Sequence, residues 1–219
     1  NPSGVICEIM NEDGTMARMP DLVKFAQFHG LKIGTIADLI AYRLNHDKII
    51  ERTHETTLET DLVGPFKMYV YVNKVEYAEH IALVKGDLSK DGPVMVRVHA
   101  FNILDDVLGD LHNNKAGEFL KSMEMIGTAE KGVLVIIRDP LKSSLSDQVK
   151  ARNGTLDTES GKASPGPELR DYGVGAQILL DLGVKDMIVL SNTERTLIAL
   201  EGFGLSIAEH RPIDLGKGT

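Results

Sequence analysis

Met68-Tyr-Val-Tyr-Val72, His80-Ile-Ala-Leu-Val84 and Val94-Met-Val-Arg-Val98 make a stretch of three short β-rich runs, set apart by turn-like Gly and Asp residues. That pattern predicts an antiparallel sheet. Downstream the texture changes. Phe119, Leu120, Met123 and Ile126 have helical spacing, and Gly132-Val-Leu-Val-Ile-Ile137 reads as a buried strand. Leu169 to Leu182 predicts a helix, Met187 to Leu190 a strand, Thr193 to Glu201 a helix closed by Gly202, and Leu205 to Glu209 a last strand. Strands alternating with helices imply a parallel or mixed sheet with helices packed on it, so the fold class is α/β (α+β).

Upstream, residues 1–44 read as strand, turn, helix, strand, helix. Val5 to Ile9 is strand-like, Asn11-Glu-Asp-Gly14 is a turn signal, Pro20 suits the first turn of a helix and Gly30 its end. Thr35 and Asp38 have the spacing of a capping box before Leu39-Ile40-Ala41. The opening Asn1-Pro2-Ser3 leads straight into an apolar run, which reads as a cut inside a larger protein. Residues 45–62 are polar and charged, and are expected to be a linker or an exposed connecting helix. Residues 153–167 are rich in Gly, Ser, Thr and Pro and predict a mobile loop, with a working lid as the alternative.

Composition narrows the function classes. A chain of 219 residues with formal net charge −8 and pI near 5.4 lacks the basic character of a nucleic-acid binder. Apolar runs such as Val133 to Ile137 are far too short to span a bilayer. Cys7 is the single cysteine, which excludes an intrachain disulfide and a thiolate-rich metal site. The expected location is the cytoplasm.

Several motifs carry a resemblance. Val5-Ile-Cys-Glu-Ile-Met-Asn-Glu-Asp-Gly-Thr-Met-Ala-Arg18 and Gly34-Thr-Ile-Ala-Asp-Leu-Ile-Ala-Tyr-Arg43 resemble the C-terminal end of 3,4-dihydroxy-2-butanone 4-phosphate synthase. His80-Ile-Ala-Leu-Val-Lys-Gly86, Leu169-Arg-Asp-Tyr-Gly-Val-Gly-Ala-Gln177, Ser191-Asn192 and Leu200-Glu-Gly-Phe-Gly204 are similar to GTP cyclohydrolase II. Together they resemble the bifunctional riboflavin-biosynthesis family in which the two are fused. The layout this implies is a synthase remnant at 1–44, a linker at 45–62, a cyclohydrolase II-like domain at 63–213 and a flexible tail at 214–219. It also implies a synthase half as partner and a homodimer.

The same resemblance implies a damaged site. The family's zinc loop, R-V-H-S-E-C, ten residues, then C-x-C, aligns with Arg97 to Lys115, placing Asn102, Asn113 and Lys115 at the three cysteine positions. A thiolate binds zinc because it is soft and negative; an amide is a poor ligand and an ammonium repels the ion. Family members use zinc and magnesium; here no cofactor is expected. A substitute set of His99, Asp105, Asp106 and His112 offers acceptable ligand types, but the two aspartates are expected in an exposed turn. Ala100 and Phe101 replace the family's Ser and Glu. Its glycine-rich phosphate loop aligns with Pro140-Leu-Lys-Ser-Ser-Leu-Ser146, where Lys142 keeps one positive charge able to attract an anionic small molecule.

Other positions survive in form. Arg97, His99 and Ser191 stand at substrate-binding positions. Ser191 also has the spacing to cap a helix with Glu194. The family's proposed base and nucleophile, D-x-R, become Glu168-Leu169-Arg170. Glu168 equally suits the first turn of a helix, and Arg170 a neighbouring partner. Glu8 matches a synthase carboxylate whose metal-binding companions lie upstream of residue 1 in that family. The reading is a catalytically inactive cyclohydrolase-like domain with a structural or regulatory role toward an active synthase; the alternative is an active GTP cyclohydrolase II with a rebuilt site.

Overall fold

The computed structural model describes residues 3–4, 6–35, 42, 47–75, 77–112, 114–138, 144–153, 167–192 and 204–216. The backbone of 167–172 is described without its side chains. The capping box at 35–38, the helix expected at 193–201, most of the 153–167 loop and the last residues of the tail therefore lie outside the description. The chain divides into two compact units, Asn1–Arg43 and Leu44–Thr219.

In the first unit, the Asn11–Gly14 turn forms as expected, with Gly14 N–H donating to Asn11 C=O at 3.0 Å and Thr15 bonded to Asp13. The strand expected at Val5–Ile9 is not seen among its described residues, 6–9. Ile6–Ile9 join no ladder, and a single bridge pairs Met10 with Met16. Isolated two-stranded ribbons are marginal without a third strand or a helix to cover them. Helix α1 (Met19–His29) carries Pro20 in its first turn and is capped by Gly30, whose φ of 64° lets Leu31 N–H turn back to Ala26 C=O. Ala26 is its one buried residue, and Phe28 is 86% exposed.

The second unit is built on a seven-stranded sheet. Its strands are β1 (Ile50–Leu58), β2 (Phe66–Asn73), β3 (Ala78–Lys85), β4 (Val94–Ala100), β5 (Gly132–Ile137), β6 (Asp186–Leu190) and β7 (Ser206–Arg211). The spatial order is β1-β2-β3-β5-β4-β6-β7. Pairs β1/β2, β2/β3 and β3/β5 are antiparallel, while β5/β4, β4/β6 and β6/β7 are parallel. The helices among the described residues of this unit are α2 (Ile103–Asp106), α3 (Glu118–Thr128), α4 (Ser144–Arg152) and α5 (Pro167–Asp181).

Side-chain alternation sorts the core into two layers. Val94, Val96 and Val98 of β4 join Val174, Ile178 and Leu179 of α5. Met95, on the opposite face, joins Met123 and Ile126 of α3. Arg97 and His99 therefore project toward α3. Every residue of β5 is buried because helices cover both of its faces, which explains its unbroken apolar run. Helix α5 lies close on β4 because residue 175 is Gly; a Cβ there would come within 2.7 Å of Val98 Cγ1.

Residues 50–58, expected as linker or connecting helix, are the edge strand β1. Ile50 is buried, but Glu51–Thr57 are exposed on both faces, so the strand shows none of the apolar alternation that marks a strand in sequence. Charge and a register shift between Arg52 and His54 are features that protect an edge from further pairing.

His80 on β3 is 2% exposed, and its Nδ1 accepts the backbone N–H of Arg138 at 3.2 Å. Burial pushes its pKa down from 6.5 to about 4, and the Arg138 charge adds to this. Between those values the unfolded chain binds the proton that the folded one refuses. The stabilisation is thus complete above pH 6.5 and is lost as pH falls toward 4. Urea unfolding at pH 7 and pH 4.5 should differ by about 2 kcal/mol from this residue, and His80→Gln should abolish that part of the difference. Among the described residues, no helix is long and apolar enough to cross a membrane.

Candidate functional site

Arg97, His99 and Ser191 converge near the carboxyl ends of the parallel strands β4 and β6, where sheets of this kind place ligands. Each is already engaged within the protein. Arg97 Nη1 donates to Leu190 C=O at 3.1 Å, and Nη2 reaches Glu118 Oε2 at 3.2 Å. The pair is sheltered, with side-chain exposures of 12% and 11%. The other Glu118 oxygen accepts from Asn192 Nδ2 at 3.0 Å, and Asn192 Oδ1 accepts the Ile213 N–H at 2.8 Å. Ser191 is buried; its C=O accepts from His210 Nε2 at 2.7 Å.

His99 forms a second network. Its Nε2 lies 2.8 Å from Asp106 Oδ2, while Nδ1 faces Arg97 Nη2 at 3.5 Å. These partners assign the proton to Nε2, donated to the carboxylate. Phe119 covers the imidazole, with ring centroids 5.2 Å apart. Asn102 N–H also donates to Asp106 Oδ2, at 2.8 Å.

Asn102 caps α2: its Oδ1 accepts Leu104 N–H at 2.9 Å, and its Nδ2 donates to Asp105 Oδ2 at 3.0 Å. This capped turn folds both carboxylates inward and corrects the expectation of an exposed turn. Asp105 is 4% exposed, and the Asp106 side chain 2%. His112 and Lys115 are exposed. Among the described residues, no group of three or more His, Cys, Asp or Glu is placed to hold a metal. His99, Asp105, Asp106 and His112 are thus not assembled as a ligand set. An amide committed to a helix cap and an exposed ammonium do not fit a zinc ion.

Beyond α2, Arg152 of α4 grips Asp110 through Nε at 2.7 Å and Nη2 at 3.1 Å, which holds that carboxyl down at about 2. The backbone of Glu168 and Arg170 lies at the start of α5; their side chains, with Lys142 and Asn113, fall outside the description. Glu8 is exposed in the first unit. A cavity of about 430 Å³ lies elsewhere, lined by Lys48, Ile50, Glu51, Arg52, Lys74 and Asp181.

Sequence reading missed Glu118 and gave Asn192 no role. A signal existed for the first: Arg97 lies on the same strand face as Met95, an inward position where a guanidinium requires a carboxylate, and Glu118 opens the helix that covers that face.

A family model for GTP cyclohydrolase II matches residues 51–212, and one for 3,4-dihydroxy-2-butanone 4-phosphate synthase matches residues 1–42. Riboflavin biosynthesis protein RibBA of Aquifex aeolicus (strain VF5) is 43% identical over 221 residues, covering 98% of this chain and 54% of that protein. RibBA of Bacillus subtilis (strain 168) is 43% identical over 220 residues, covering 97% and 55%. The chain therefore spans about half the length of these relatives. Among solved structures, RibBX, a two-domain 3,4-dihydroxy-2-butanone 4-phosphate synthase from A. baumannii, matches with TM-score 0.63 and 37% identity, over 94% of this chain and 53% of that one.

Proposed function

This chain belongs to the GTP cyclohydrolase II family, and from that premise we propose that its cyclohydrolase-like unit is non-catalytic and serves riboflavin biosynthesis by supporting a synthase domain. Residues 1–44 are read as the C-terminal segment of that synthase, and the cyclohydrolase-like domain, expected at 63–213, is read to begin with β1, which joins its sheet. The observation that carries the reading is the state of the zinc-loop position. Asn102 caps a helix there, His99 is bound to Asp106, and Arg97 is bound to Glu118, so the polar groups that would meet a nucleotide are bonded to one another. Ala100, Phe101 and Pro140 remove further contacts. The solved relative RibBX supports this reading, since a two-domain protein is there named for the synthase alone.

The second reading, an active cyclohydrolase with a rebuilt site, draws on the Glu168-Leu-Arg170 motif, which keeps a carboxylate and the arginine of the family's D-x-R, and on the similarity to RibBA proteins. Zinc content separates the two. Protein purified without chelators should carry zinc far below one equivalent; a near-stoichiometric content favours the rebuilt site. Turnover of GTP is the decisive assay.

A further inference from the structure

Strand β7 ends at Arg211, whose C=O accepts Ser191 N–H at 3.2 Å. Pro212 follows, and with no N–H to donate it does not extend the ladder. Beyond it the side chains alternate between solvent and protein. Pro212, Asp214 and Gly216 are exposed, Ile213 is 4% exposed, and Leu215 is half-buried. Ile213 joins Leu190, Met123 and Ile126 in the apolar layer of α3, and Leu215 packs against the same layer.

Two banks hold this segment. On one, just past β6, Asn192 grips the backbone of Ile213: its Oδ1 accepts the N–H at 2.8 Å, and its Nδ2 donates to the C=O at 3.3 Å. On the other, Leu215 reaches the residue before α3; a Cβ on Gly117 would sit 3.7 Å from Leu215 Cδ2, an ordinary contact. The polar network of the site joins the same two banks, from Leu190 C=O to Arg97, from Arg97 to Glu118 and from Glu118 to Asn192. Asn192 Nδ2 is thus shared between Glu118 and Ile213. The Arg97 and Glu118 side chains are correspondingly sheltered, at 12% and 11% exposure. One buried side chain and one amide are few anchors for a segment outside the sheet, so its local opening costs less than global unfolding.

We propose that residues 212–216 are a strap, latched by Asn192 and Ile213, that shuts the crevice at the carboxyl ends of β4 and β6 and controls the access of small molecules to Arg97. The strap governs entry, and it does so whether or not the unit turns over GTP.

The probe is phenylglyoxal, which adds to accessible guanidinium groups, read residue by residue by mass spectrometry. In the unaltered chain Arg97 should react slowly and Arg138, with 54% of its side chain exposed, quickly. In Asn192→Ala the Ile213 amide should exchange with solvent roughly 10-fold faster, the scale set by one lost hydrogen bond. Arg97 should then react several-fold faster while β5 amides remain slow, which separates strap release from unfolding. Leu215→Ser loosens the far end without touching the network and should act in the same direction, so the question stays open to test even if Asn192→Ala does not fold. Glu118→Gln is the control: it removes the charge pair, and with the strap in place Arg97 should stay slow. Unchanged Ile213 exchange in Asn192→Ala would remove the latch. Faster Ile213 exchange with unchanged Arg97 reactivity, or fast Arg97 modification in Glu118→Gln with Ile213 still protected, would overturn the strap as the barrier.

Discussion

Incubated with GTP, magnesium and added zinc, the purified chain should yield no diaminopyrimidine and no formate above background. The expected deficit is large. In the family, zinc activates the water that opens the guanine ring, and metal coordination can lower the pKa of water from about 15.7 to about 7. At neutral pH that difference corresponds to roughly 10⁸-fold less hydroxide when the metal is gone. Among the described residues, His99 is not free to replace it as a base: it directs its Nε2 proton at Asp106 and presents Nδ1 to Arg97. The Asn102→Cys/Asn113→Cys/Lys115→Cys variant separates two causes of inactivity. It should take up zinc yet leave GTP intact, because Ala100, Phe101 and Pro140 still stand where the family contacts nucleotide. Product released by the unaltered chain, detected chromatographically and proportional to protein, would refute the reading.

How far the fold could be read in advance depended on burial. The apolar runs of β4 and β5 and the spaced apolar residues of α3 announce themselves because helix and sheet bury periodic faces. β1 carries no such signal. Its neighbour β2 supplies the ladder, and its exposed side chains obey solvent rather than a core. In the first unit, Val5-Ile-Cys-Glu-Ile9 has strand propensity, but its described residues, 6–9, join no ladder, and propensity without a partner strand does not make a sheet. The site was legible in a different way. That Asn102 and Lys115 stand where cysteines are expected follows from the motif resemblance, whereas the capping role of Asn102 does not. A helix cap depends on where the chain turns, and adjacent Asp105 and Asp106 look solvated until that turn folds them inward.

Glu118→Ala should produce the largest loss of stability of any single change at the site. Arg97 and Glu118 form an ion pair with both side chains nearly nine-tenths buried, and Glu118 also anchors Asn192. Removing one member of such a pair leaves the other charge desolvated without compensation, a loss of about 3–5 kcal/mol. For a unit of this size each kcal/mol moves Tm by roughly 2–4 °C, so a fall of about 10 °C is expected. Thermal and urea unfolding of the second unit would measure it. Arg97→Met combined with Glu118→Leu should recover most of the loss, because apolar side chains suit the layer that Met95, Met123 and Ile126 already form. That recovery distinguishes a buried charge pair from a packing role: if the double variant is as unstable as the single one, volume and the Asn192 contact matter more than charge. The same result bears on function. Arg97 is held by Glu118, and a ligand that recruited this guanidinium would have to displace that pair.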